Sequence, residues 1–235
     1  MLPKQKFLLA GKSTLSLLLA WAFIRILQGG LLATGAFLSN FKGHIEWHSF
    51  IFNITAQQWH LKQVISLFLF PEVIFLLLII LLPIRHNPTR NIPEILRLFL
   101  GWTFLLILVI ALWLPLWEIM QHKGIYYALS WLWLSRIYQY LIGILLMIGF
   151  LLTIFRVSVI FSRVLRIRPN QFLKRRDLLF QLIYIWFIPF VVLSLLTLVL
   201  SGMKLLFPNI CLLVGIAVAL LLNTPYISSY KVIVK

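Results

Sequence analysis

The sequence predicts an all-α fold: a polytopic transmembrane helical bundle with six spans and both termini in the cytoplasm. Three observations predict it. Apolar residues make up 62% of the 235-residue chain, against roughly 45–50% in a soluble domain. Charged residues make up 11%, against roughly 25%. Six apolar runs are each long enough for a hydrocarbon layer of about 30 Å, which takes about 20 helical residues to cross. A chain this poor in polar residues cannot cover a water-facing surface. That excludes a soluble enzyme, a secreted disulfide scaffold and a disordered chain. The single cysteine, Cys211, lies in an apolar run and cannot form an internal disulfide.

The whole chain, residues 1–235, reads as one integral membrane domain. The first span covers residues 14–38. Its apolar run is too long for a signal peptide, and no small-residue cleavage site follows it. Residues 39–63 form the largest outer loop. The second span covers 64–84 and the third 98–120. The fourth covers 127–155 and is long enough to tilt or protrude. The basic stretch 156–177 extends it on the cytoplasmic side as a helix that breaks near Pro169. The fifth span covers 178–200 and the sixth 205–222. Backbone groups cannot stay unpaired in lipid, so these runs should be helical. Residues 75–82 are apolar on every face, unlike the alternating strands of a β-barrel.

Loop charges set the orientation. Fifteen Lys and Arg fall on one side, in the N-terminal segment, the loops 85–97 and 156–177, and the C-terminal segment. Four fall on the other, Lys42, Lys62, Lys123 and Lys204. The cytoplasmic side carries the excess of basic residues, so both termini are placed there. The net charge of +16 thus reflects topology, and no nucleic-acid partner is expected. The expected location is the bacterial inner membrane, although the same charge rule applies to an organellar one.

Charges inside spans are costly and tend to be functional. Arg25 and Glu72 each lie about 12 residues from the inner end of their spans, roughly 18 Å deep at 1.5 Å per residue. Equal depth predicts an Arg25–Glu72 ion pair. Gln28 and Gly29 follow Arg25 at helical spacing, and Pro71 frees a carbonyl in the turn before Glu72. Arg25, Gln28 and Glu72 therefore form a candidate intramembrane polar site, or alternatively a lock between two helices. Glu118 and Arg136 form a second candidate pair at the outer interface. Tyr140, Gly143 and Met147 continue the Arg136 face, a stripe expected to pack against other helices.

Three further groups are candidates. His44, Glu46 and His48 share the outer loop, and the i, i+4 histidines would chelate a metal if helical. This is not the zinc-protease signature, because Glu46 stands at the third position of the motif. A plain aromatic loop explains the segment equally. Trp47, Trp59, Trp117, Trp131 and Trp133 fall near the outer interface, where an aromatic belt is expected. On the cytoplasmic side, Arg163, Arg166, Arg168, Lys174, Arg175 and Arg176 would contact anionic lipid headgroups, or an acidic partner.

The chain lacks a Walker phosphate loop, a dinucleotide fingerprint, a Gly-x-Ser-x-Gly elbow and a Cys-x-x-Cys pair, so no cofactor is expected and an enzyme is disfavoured. Three function classes remain. The first is a non-catalytic integral subunit that anchors or packs within a larger membrane assembly, with other membrane subunits and lipids as partners. The second is a small-solute or ion permease, or a component of one, with Arg25 and Glu72 at its polar site. Pro71, Pro115 and Pro189 would break helices near such a site. The third is a membrane enzyme on a lipid-linked substrate, with Glu46 and His44 or His48 as its acid–base groups.

Overall fold

The computed structural model describes residues 3–41, 43–45, 50–52, 59–81, 93–164 and 183–201. The fold is all-α, apart from one short hairpin. Helix α1 is Pro3–Leu38. Strands β1, Gly43–Ile45, and β2, Phe50–Phe52, pair antiparallel with His44 opposite Ile51. Helix α2 covers 61–81, α3 covers 94–120, α4 is Ile125–Trp131, α5 is Arg136–Val164 and α6 covers 183–201. Among the described residues, four helices are long and apolar enough to cross a membrane: Phe7–Leu38, Leu61–Ile80, Glu94–Met120 and Arg136–Thr153. Ile183–Leu196 is apolar but shorter. The predicted sixth span lies outside the described residues, as do the outer parts of the basic loop.

Three helices are interrupted by the same device. A π turn covers Ile65–Leu69 in α2, Val109–Trp113 in α3 and Ile183–Phe187 in α6. In each case a proline stands two residues after the turn: Pro71, Pro115 and Pro189. The cause is local. Proline has no N–H and its ring collides with the carbonyl four residues back, which here belongs to Leu67, Ala111 or Ile185. Widening the turn by one residue relieves the collision. The bonds then run one residue further, from Phe70 N–H to the Ile65 carbonyl and from Leu114 N–H to the Val109 carbonyl. Such adjustments are one way a membrane helix tolerates proline.

Predicted span four is corrected. The structure divides it into α4 and α5, with a reversal at 132–135. The break is a Schellman end. Leu134 N–H bonds the Leu129 carbonyl at 3.3 Å, and Trp133 N–H bonds that of Ser130 at 3.0 Å. Trp133 takes the left-handed conformation at φ 58°. The side chain of Gln139, from the first turn of α5, fastens the reversal. Its Nε2 donates to the Leu134 carbonyl at 2.9 Å and to Ser130 Oγ at 3.1 Å. The same ending closes α1 at Asn40 (φ 51°) and α3 at His122 (φ 54°).

The chain forms two compact units. The first comprises the described parts of Met1–Trp21, Arg85–Leu105 and Leu151–Lys235. Its centre is Ser13, fully buried on α1. The Ser13 hydroxyl accepts from Trp102 Nε1 on α3 at 3.0 Å and donates to the Ile185 carbonyl of the α6 π turn at 2.8 Å. One turn on, Ser16 donates to the Ile95 carbonyl at 3.3 Å. The rings of Trp102 and Trp186 pack with centroids 5.1 Å apart. Buried hydroxyls and ring contacts therefore tie three helices together without a charge. The Lys12–Glu94 pair, 3.1 Å, lies at the exposed edge.

The second unit comprises Ala22–Ile84 and Leu106–Phe150. Here α1 meets the π turn of α2 at Gly35. A Cβ at this position would collide with the Ser66 carbonyl. Ala36, Phe41 and Leu67 form the adjoining core, with Trp59 and Phe68 against it. Helix α5 rests on α3 through one stripe. Gln139, Gly143 and Phe150 are buried, Gly143 lies beside Leu116 and Ile119, and Trp113 packs on Phe150 at 5.4 Å. Arg136, Tyr140 and Met147 are exposed. The expected packing stripe is thus displaced by about one residue, with Gly143 at its edge.

Candidate functional site

The candidate site lies in the second unit, on the acids that α2 and α3 carry next to their proline turns. Glu72 follows Pro71 directly, and Glu118 stands three residues after Pro115. Both proline turns are therefore within one helical turn of an acid.

Glu118 is tied to the chain reversal that follows α3. Its Oε2 accepts the Ile125 backbone N–H at 2.8 Å, which places a carboxylate on the first free amide of α4. Gly124 makes room for it. This residue adopts φ 48°, and a Cβ there would collide with the Glu118 carboxyl. Beyond the reversal, the imidazole Nε2 of His122 lies 3.3 Å from Tyr140 Oη, and its ring meets Tyr126 edge-on at 4.5 Å.

Glu72 differs. Among the described residues its buried Oε2 has no hydrogen-bond partner. Glu118 contributes to its electrostatic surroundings. Of the expected intramembrane set, Arg25 and Gln28 are joined: Arg25 Nη1 donates to Gln28 Oε1, one turn along its own helix, at 3.4 Å. Depth along a span gives axial position but not the direction a side chain faces, and the π turn before Pro71 alters that direction. Of the second expected pair, Glu118 bonds the Ile125 amide, while Arg136 begins α5 on its exposed face.

The outer-loop histidines are corrected in part. His44 lies in β1, so the helical spacing needed for an i, i+4 chelate is not made there. Glu46 and His48 lie outside the described residues. Among the described residues, no three His, Cys, Asp or Glu side chains gather as metal ligands would. Of the basic cluster, Arg163 falls on the described backbone of α5. Arg166, Arg168, Lys174, Arg175 and Arg176 lie outside the described residues.

Sequence reasoning missed Gln139, which is 2% exposed and whose Oε1 has no hydrogen-bond partner. An amide in an otherwise apolar helix start was the available signal. It also missed the Glu118–Gly124 contact, for which a glycine six residues after an acid is a weak cue.

Chemically, two carboxyl groups that sense each other in apolar surroundings are costly when both are ionised. A proton or a cation relieves that cost. Glu118 has a backbone donor to stabilise negative charge, and among the described residues Glu72 Oε2 has none. The two acids are therefore chemically unequal. No family model, curated protein or solved structure matches the chain.

Proposed function

We propose that the chain is a membrane-embedded small-solute or ion permease, or a component of one, with Glu72 as its proton-exchanging group and Glu118 as the acid that faces it. The observation carrying this reading is the buried Glu72 Oε2 without a hydrogen-bond partner among the described residues. A purely structural acid would be expected to carry a counter-ion, because an uncompensated buried charge destabilises a fold by several kcal/mol (about 3–5). The adjoining proline turns support the reading, since interrupted helices border many transporter sites. In this account six spans cross a bacterial inner membrane and both termini lie in the cytoplasm. The basic residues between spans four and five meet anionic headgroups.

Infrared spectroscopy of the protein in vesicles tests the exchange without knowledge of the transported solute. The protein should give a carboxyl band that titrates and exchanges with deuterium. Glu72→Gln should remove it while the helical content is kept. A spectrum unchanged by Glu72→Gln would contradict the proposal.

A second reading, the non-catalytic packing subunit, is favoured by α5. The helix packs through one stripe and leaves Ile137, Leu141, Ile144, Leu145, Ile148 and Leu152 exposed. Lipid or partner helices would cover that face. Purification in mild detergent separates the readings, because a subunit should bring down partners in fixed stoichiometry. The lipid-linked enzyme keeps only its outer-loop candidates, Glu46 with His44 or His48, and Glu46→Ala is its test.

A further inference from the structure

We infer that Pro71 is a positioning residue: by holding the π turn at Ile65–Leu69, it sets the rotational register of the segment that carries Glu72. The significance of this for exchange rests on the function proposed above, but the geometry can be tested without it.

The argument begins with the turn. A π bond encloses one residue more than an α bond. A single π turn therefore shifts every later side chain by one position, about 100° around the axis. Glu72 is the first residue after Pro71, so its direction depends directly on this shift. The upstream end of the turn is anchored. Gly35 of α1 lies against the Ser66 carbonyl, and the Phe41, Trp59 and Phe68 rings stack at 5.6 and 5.8 Å. The downstream segment, Phe70–Leu81, buries Phe75 and exposes Val73, Leu77 and Ile80. If the turn closes while its upstream end is held, the downstream segment rotates.

The same construction stands before Pro115 and Pro189. Three turns with one offset from proline identify proline as the cause of the widening. At Pro115 the turn precedes the segment that carries Glu118, so both acids stand on segments whose register a proline turn sets. The turn of α3 also packs directly against the Phe70–Leu81 segment. Rotation of either segment would change how the two acids face.

Spin labels report the rotation. Leu77→Cys and Met120→Cys place labels on exposed positions of α2 and α3, in a chain with Cys211→Ala. Replacing Pro71 by alanine should let the turn close and move the label on α2 by up to about 8 Å, the chord of a ~100° rotation on a helix of ~5 Å radius. Deleting Ile65, an exposed residue of the turn, in the Pro71→Ala chain removes the extra residue and should restore the original distance. An unchanged distance after Pro71→Ala overturns the inference, as does failure of the deletion to restore it. Proton exchange, read by infrared in the same chains, is a separate outcome. Restored distance without any Glu72 band would leave the positioning role standing and remove the function.

Discussion

The proline turns before Pro189 and Pro71 both meet helix α1, and they are answered in opposite ways. At Pro189 the freed Ile185 carbonyl accepts a hydrogen bond from the Ser13 hydroxyl, which also accepts from Trp102. At Pro71 the turn meets α1 at Gly35 and Ala36, and Gly35 brings close approach with no side-chain donor. The first arrangement uses hydrogen bonds between buried neutral groups and carries no acid. The second uses backbone contact and is followed at once by Glu72, with an oxygen that has no hydrogen-bond partner. One backbone device therefore serves two purposes. Where a hydroxyl completes it, the result is a joint between helices; where glycine receives it and an acid follows, the result is a candidate site.

Substitutions on α1 probe the two ends of this comparison. Gly35→Leu should have the largest effect, because its side chain would meet the Ser66 carbonyl rather than a movable group. A loss of about 3 kcal/mol is expected from overpacking. Thermal unfolding in detergent measures it, with Gly30→Ala as the control, since nothing lies within 4 Å of a Cβ there. A loss at Gly30 equal to that at Gly35 would remove the role of close approach. Ser13→Ala comes next. It deletes both an acceptor and a donor in a fully buried position, at a cost of about 2 kcal/mol. Ser13→Thr, which keeps the hydroxyl, should recover part of that loss.

Glu118 offers a sharper contrast of about 1 kcal/mol. Glu118→Gln keeps an oxygen for the Ile125 amide, whereas Glu118→Ala removes it. The alanine variant should unfold earlier than the glutamine variant, and equal stability would show that the amide contact is idle. The smallest effect belongs to Lys12 and Glu94, whose side chains are 38% and 44% exposed. Lys12→Ala should change stability by less than about 0.5 kcal/mol, as for other exposed pairs.

Much of the helix placement was legible in the sequence, for a simple reason. Long apolar runs have one stable conformation in lipid, so the helices at residues 61–81 and 94–120 appear within a few residues of the predicted spans, and α1 ends where its span does but begins 11 residues earlier. Span four was misread because Trp131, Leu132, Trp133 and Leu134 are as apolar as the helices they separate. Its break is set by a left-handed Trp133 and by Gln139, neither of which carries a turn signal. The left-handed ends at Asn40 and His122 were not read from the sequence, although asparagine tolerates that conformation. The prolines were legible as interruptions, but their partners on α1 were not, since the face a neighbouring helix presents is a tertiary property. For the same reason the sequence marked Glu72 and Glu118 as unusual but not the direction in which either side chain points.

Two double-mutant cycles, read by unfolding in the same detergent, test most directly whether Glu72 is coupled to Glu118 rather than to Arg25. Glu72→Gln and Glu118→Gln should be non-additive by about 1 kcal/mol or more, the size expected for interacting neighbours. Arg25→Gln and Glu72→Gln should add within about 0.5 kcal/mol. Coupling between Arg25 and Glu72, with additivity between the two acids, would contradict the account and return the site to a structural ion pair.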